Sequence, residues 1–175
     1  MSDAVSGFIT KEALTNGVSN AFFNGLAAWY LLKSKPWMPV LGEAGIVVDV
    51  IATSIILLFI VTLIIIPLSR SKKRKGKAPE FSWDSSRQLH RFFMRLPPGL
   101  VARAFCFAGL GIVVVSPVSL LPYFMFGIEG MSGADYAIVK GVWAGFMAGV
   151  MCVPMIQLGL ADSGTQHLGE QQHAG

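Results

Sequence analysis

A stretch of about 20 residues without a charged side chain lies between Asp49 and Arg70, and it limits the fold of this chain more than any other feature. Most of its positions are Ile, Leu, Val or Phe. A helix of that length crosses the hydrocarbon core of a bilayer and satisfies its own backbone hydrogen bonds there. The sequence therefore predicts an integral membrane protein of the all-α class.

The composition extends this prediction to the whole chain. Of its 175 residues, 53% are hydrophobic and 14% are charged, whereas a soluble domain carries about 25% charged residues. We predict a single domain over residues 1–175, a compact bundle of four transmembrane helices with a disordered polar tail. The predicted spans are residues 16–33, 45–68, 100–121 and 136–160, and the tail is residues 162–175.

Positive charge is concentrated in the loop that follows the second predicted helix. Nine of the 14 Lys and Arg lie there: Arg70, Lys72, Lys73, Arg74, Lys75, Lys77, Arg87, Arg91 and Arg95. Because Lys and Arg accumulate in cytoplasmic loops, we expect residues 69–99 to be cytoplasmic. With four spans, both termini are then cytoplasmic too. The expected location is a plasma membrane, specifically a bacterial inner membrane.

The expected partners of these basic side chains are the bilayer and its anionic phospholipid headgroups. No nucleic-acid recognition motif accompanies the charges, so nucleic acid is not an expected partner.

Within the same loop, residues 81–96 have the pattern of an amphipathic helix. Apolar side chains recur at helical spacing at Leu89, Phe92, Phe93 and Leu96, opposite a stripe of Arg. We predict a helix lying in the membrane interface; the alternative is a helix docked on another protein.

Polar side chains form a stripe on the first predicted helix. Asn16, Asn20 and Asn24 are spaced four residues apart, so they share one face of a helix. Polar side chains inside a membrane face the protein interior or a wet cavity. Two interpretations follow: hydrogen bonds between helices, or one wall of a path for a small polar solute.

Small residues form a stripe on the fourth predicted helix. Gly141, Gly145 and Gly149 follow Ala137 at intervals of four residues. Small side chains let helix backbones approach closely in a membrane. We therefore predict that this helix packs at the centre of the bundle or of a dimer.

Two opposite charges lie near the outer ends of predicted helices. Asp49 is close to the start of the second helix, and Lys140 is close to the start of the fourth. An ion pair between them is geometrically possible. Structural anchoring and a role in transport are both open interpretations, since ionisable residues at membrane depth are expensive and commonly functional.

The two halves of the chain show a weak internal repeat. Each half consists of an outgoing helix, an outer loop and a returning helix with a late proline, Pro67 or Pro154. The residue-level match is poor. A true duplication and a generic likeness between two-span hairpins are both compatible with it.

No catalytic or cofactor-binding motif is present, and the Cys and His residues lack the spacing of metal ligands. We therefore expect no enzymatic activity, no cofactor and no metal. One functional hypothesis is a small transporter or permease-like protein for a small polar solute, working as a homo-oligomer or within a membrane complex. The alternative is an accessory or regulatory membrane subunit that binds anionic lipid or a partner protein through the basic loop and amphipathic helix.

Overall fold

The computed structural model describes residues 3–84 and 86–162, and most of them are helical. The residues of the predicted tail from 163 onward lie outside the described part. In chain order, the α-helices are α1 Asp3–Leu32, α2 Ile46–Arg74, α3 Gln88–Met94, α4 Leu100–Leu110, α5 Ser116–Met125 and α6 Gly133–Asp162. A π-helical turn, Gly111–Val115, joins α4 to α5. Two short strands, β1 Met38–Pro39 and β2 Gly130–Met131, lie in the loops.

Within the described residues, three helical segments are long and apolar enough to cross a membrane. They are Ile46–Arg74, Leu100–Met125 and Gly133–Ala161. The prediction of a helical chain with membrane-spanning segments is confirmed at this level. α1 is as long as α6 but is not among the three, since it carries Lys11, Glu12 and three Asn.

The helices extend beyond the predicted bounds. α1 begins at Asp3 rather than near residue 16, because Val5 and Ile9 are buried in the apolar core formed with α2 and α6. α2 continues past Pro67 to Arg74, into the basic run. α6 begins at Gly133, three residues before the predicted start.

The third segment continues through two prolines to Met125 instead of ending at residue 121. The π turn directly precedes Pro117, which has no backbone N–H to donate. Hydrogen bonds in a π turn reach one residue further back than in an α-helix, so a different set of carbonyls needs a partner. The Ser116 hydroxyl donates a hydrogen bond of 2.8 Å to the carbonyl of Gly111. A left-handed Gly127, with φ of 63°, then ends α5.

The amphipathic helix is much shorter than predicted. Only α3 is helical, and residues 81–84 before it are not. Instead, Phe81 and Trp83 fold back onto His90, with ring centroids 6.0 and 5.1 Å from the imidazole. The Asp84 backbone N–H also donates to His90 Nδ1 at 3.1 Å. Helical periodicity did not predict this contact, because it describes spacing along one helix and not the packing of a preceding segment against it.

The long helices pack as two pairs that meet along α2 and α6. α1 packs along α6, the α4–α5 segment packs along α2, and α2 and α6 contact each other between them. At one end of the bundle, the connecting loops pair as antiparallel β1 and β2, with Met38 opposite Met131.

Candidate functional site

The contact between α1 and α6 brings backbone against backbone. A Cβ atom added to Gly145 would lie 2.5 Å from the Cβ of Ala21 and 2.7 Å from the carbonyl oxygen of Gly17. One added to Gly141 would lie 2.8 Å from the Cα of Gly25. Gly149 faces the carbonyl of Ala13 at 3.4 Å by the same measure. The glycine stripe of α6 therefore meets α1 along several helical turns, and the helices run antiparallel.

α1 contributes a matching stripe that the sequence analysis did not single out. Ala13, Gly17, Ala21 and Gly25 also recur every four residues, and these are the residues that meet α6. The signal was present in the sequence, although the Asn stripe beside it was the more conspicuous pattern. Because this small stripe faces α6, it fixes the rotation of α1 and turns the Asn stripe to one side.

The three Asn side chains form a hydrogen-bonded ladder along α1. Asn20 Nδ2 donates to the backbone carbonyl and to Oδ1 of Asn16, at 2.9 and 3.2 Å. Asn24 Nδ2 repeats the pattern on Asn20, at 3.0 and 3.5 Å. Asn16 Nδ2 reaches across to the carbonyl of Ala148 on α6, at 3.3 Å. The ladder therefore contains one contact between helices and several within α1.

The ladder forms one wall of a groove of about 320 Å³ between α1 and α2. The opposite wall is mostly apolar, and Thr53 is its polar side chain. The residues that α2 contributes are Thr53, Ile56, Leu57, Ile60, Val61 and Ile64. The groove is therefore polar on one side only, and it lies along the middle turns of α2, a segment of membrane-spanning length.

Asp49 and Lys140 form the ion pair that their sequence positions allow. Lys140 Nζ donates to both carboxylate oxygens of Asp49, at 2.8 and 2.7 Å. The Tyr136 hydroxyl donates to Asp49 Oδ2 at 2.6 Å. Lys140 is 13% exposed and Asp49 is 32% exposed. Tyr136 lies one helical turn before Lys140, and its part in this cluster was not anticipated from the sequence.

The basic segment divides into side chains with structural partners and side chains on the surface. Lys72 pairs with Glu12 of α1 at 2.5 Å, and Lys73 donates to the carbonyl of Leu160 near the end of α6 at 2.6 Å. A cation is favourable at that position because helix C-termini carry partial negative charge. Arg70 is partly buried at the same end of α2. The exposed basic residues are Arg74, Lys75, Lys77, Arg87, Arg91 and Arg95.

α3 presents apolar side chains beside these cations. Leu89 is 71% exposed and Phe92 is 48% exposed, whereas Phe93 stacks on Phe107 with a centroid distance of 6.0 Å. Before α3, Asp84 accepts hydrogen bonds from the Ser86 hydroxyl and backbone N–H, which hold the pKa of Asp84 below its usual value. The helix is therefore anchored on one side and open on the other.

The described residues contain no group of three or more His, Cys, Asp or Glu side chains that could hold a metal ion. Comparisons with protein-family models, with curated proteins and with solved structures find no match to this chain.

Proposed function

We propose that the chain crosses the membrane four times, with α1 as the fourth span. α1 and α6 have the same length and pack antiparallel along their small-residue stripes. The side of α1 away from α6 exposes Val18, Phe22 and Leu26, the side chains expected against lipid. A helix packed in this way alongside a membrane-spanning neighbour lies at the same depth.

Within this frame, we propose a non-enzymatic protein that moves a small polar solute across the membrane. The observation that carries the proposal is the groove between α1 and α2, where Asn16, Asn20 and Asn24 face a cavity along the middle turns of α2. In the proposed four-span arrangement, these turns lie at the depth of the hydrocarbon core. Amides at that depth are favoured where they face a wet cavity. Because the groove opens sideways from the bundle, a closed path requires a second copy or another subunit against it.

Water access to the groove tests the proposal directly. In a variant with Cys106 and Cys152 replaced by Ala, single cysteines are introduced as Asn20→Cys and Asn24→Cys, with Phe22→Cys as the control. Phe22 lies between them in sequence and is 62% exposed on another face of α1. A water-soluble maleimide should label the groove cysteines about tenfold faster or more, because the reactive thiolate forms only in water. Equal, slow labelling at all three positions would overturn the proposal.

Solute movement is tested in vesicles containing the purified protein. Stopped-flow light scattering reports swelling as urea, glycerol or small amides enter. The parent protein should accelerate entry of at least one such solute, and the paired Asn20→Leu and Asn24→Leu variant should abolish the increase. If the parent protein accelerates none of them, although the groove cysteines of the single-cysteine variants are labelled, the result counts against transport of this class.

A second candidate function is favoured by the surface of α3. Exposed Leu89 and Phe92 next to Arg87, Arg91 and Arg95 suit insertion into an anionic membrane surface. In this hypothesis the chain is an accessory or regulatory subunit that holds lipid or a partner at its cytoplasmic face. Replacing the three Arg by Gln should lower the amount of anionic lipid that co-purifies, whereas Lys33→Gln with Lys35→Gln should not. Equal lipid retention by both variants contradicts it.

A further inference from the structure

A second cavity, of about 290 Å³, lies between α5 and α6 near the paired outer loops. It is separate from the Asn groove. Its lining includes Lys140 and three aromatic side chains, Tyr123, Tyr136 and Trp143, and the remaining surface is mostly apolar. Pockets for small molecules have this composition, an apolar lining with a few placed polar groups.

Most polar groups around this cavity already have partners. The Trp143 indole N–H donates to the Ser119 hydroxyl at 2.7 Å, and that hydroxyl donates to the carbonyl of Val115 at 2.6 Å. The Tyr136 hydroxyl donates to Asp49. These bonds hold the wall in place, and they leave no spare donor on Trp143 or Tyr136.

Two groups on the cavity wall can still donate a hydrogen bond. Tyr123 is only 8% exposed and lines the cavity, and its hydroxyl makes no hydrogen bond to another residue in the described part of the chain. The Lys140 ammonium group has three N–H donors, and two of them donate to the Asp49 carboxylate, which leaves one. The Tyr123 hydroxyl is not fully enclosed, since it is not one of the buried side-chain atoms that lack a partner. A donor without an acceptor is unfavourable in a mostly apolar wall, and a ligand with an acceptor atom would supply the missing hydrogen bond.

The charge of the site further restricts the ligand. Asp49 neutralises Lys140, so an anionic ligand would bring an uncompensated charge into a largely apolar space. A neutral acceptor such as a carbonyl oxygen matches the two free donors. The aromatic and aliphatic lining matches a flat apolar body, and the volume is at the low end for ligand pockets.

Access to the cavity is from the side of the bundle. Pro122 and Val139 line it and are exposed at its rim. Both belong to segments of membrane-spanning length. A molecule dissolved in the membrane therefore reaches the cavity without crossing the paired loops.

We propose that this cavity binds a neutral, membrane-soluble molecule with a carbonyl oxygen on a flat apolar ring, the chemistry of a quinone head group. Tyr123 and Lys140 donate hydrogen bonds to the carbonyl, and the rings of Tyr136 and Trp143 contact the ring face. The proposal concerns binding alone and does not depend on solute movement through the Asn groove.

Quenching of Trp143 fluorescence by tetramethylbenzoquinone tests the proposal. All four carbons of this quinone that could react with thiols or amines carry methyl groups. The protein is prepared in lipid nanodiscs with Trp29, Trp37 and Trp83 replaced by Phe, which leaves Trp143 as the reporter. Saturable quenching is expected. Tyr123→Phe should weaken binding about three- to tenfold, the effect of one lost hydrogen bond. Tyr30→Phe, at an exposed position on α1, should leave it unchanged.

Two controls separate binding from partition of the quinone into lipid. A protein that keeps Trp29 as its sole tryptophan should show only a linear, non-saturable quench. Val139→Phe narrows the rim at an exposed position, so it should reduce saturable binding without disturbing the core. Quenching of Trp143 that stays linear, or that saturates identically in Tyr123→Phe and Val139→Phe, overturns the proposal.

Discussion

At the scale of single residues, the glycines of α6 decide more than the distance between two helices. Gly141 and Gly145 allow the backbone of α1 to lie against α6. That contact holds Ala13, Gly17, Ala21 and Gly25 inward, and it leaves Asn16, Asn20 and Asn24 facing the groove. The orientation of the polar stripe is therefore a consequence of packing on the adjacent face of the same helix.

Gly145→Leu should separate α1 from α6. Its side chain would begin 2.5 Å from the Cβ of Ala21 and 2.7 Å from a backbone oxygen, neither of which can move alone. We expect a loss of about 1–3 kcal/mol or more, as for other overpacked sites, measured as a lower unfolding temperature in detergent. Gly109→Leu is the matched control, since a Cβ there meets nothing within 4 Å. Equal effects of the two changes would count against close packing.

Asp49→Asn should destabilise the bundle by leaving the Lys140 ammonium without its counter-charge. Lys140 is 13% exposed, and breaking a buried pair from one side is costly. Asp49 is partly exposed, so we expect about 1–3 kcal/mol rather than the largest values. Adding Lys140→Met should recover part of the loss. The control is Glu43→Gln in an exposed loop, and a loss no larger than that of the control contradicts the prediction.

At the scale of elements, α3 depends on its surroundings for stability. Seven residues are too few for a stable isolated helix. His90 is buried between Phe81 and Trp83 and accepts the Asp84 backbone hydrogen bond. These contacts hold the helix against the end of the bundle and present Leu89 and Phe92 on its outer side.

His90→Ala should therefore release α3 and let trypsin bind the backbone beside its arginines in an extended conformation. The expected result is faster cleavage after Arg87 or Arg91 in limited proteolysis of the purified protein. Leu89→Ala on the same helix removes a side chain that is 71% exposed, so it should leave the cleavage rate close to the parent value. If both variants are cleaved at the parent rate, the His90 contacts do not hold α3.

Sequence patterns predicted the elements better than their ends. The uncharged run before Arg70 predicted the core of α2, and four-residue spacing identified the Asn stripe on α1 and the Gly stripe on α6, but the small-residue stripe on α1 was missed. Helix ends were missed where tertiary contacts extend a helix, as for Val5 and Ile9 at the start of α1. The same limit applies to the π turn before Pro117. Local periodicity contains no information about which distant backbone groups will be satisfied.

The candidate sites likewise contain some residues that the sequence predicted and others that it did not. Asp49 and Lys140 could be proposed as a pair because each lies near a helix start, but Tyr136 joins them only through the register between α2 and α6. Tyr123 had no distinguishing pattern in the sequence. Its interest comes from a largely buried ring whose hydroxyl has no hydrogen-bond partner among the described residues, which depends on three-dimensional packing.

At the scale of the whole molecule, the bundle contains two separate cavities between different helices. One lies where α1 adjoins α2, and the other lies where α5 adjoins α6. The two cavities differ in chemistry, since one is lined by amides and the other by aromatic rings and a lysine.

The side of the membrane on which α1 begins is the most direct test of the four-span architecture. Single cysteines are introduced as Gly7→Cys, Glu43→Cys and Lys77→Cys, all at exposed positions, in a background without Cys106 and Cys152. Intact cells are treated with a membrane-impermeant maleimide. Four spans predict labelling of Glu43→Cys alone, with Gly7→Cys and Lys77→Cys labelled only after permeabilisation. Labelling of Gly7→Cys in intact cells, together with Glu43→Cys, would contradict a membrane-spanning α1.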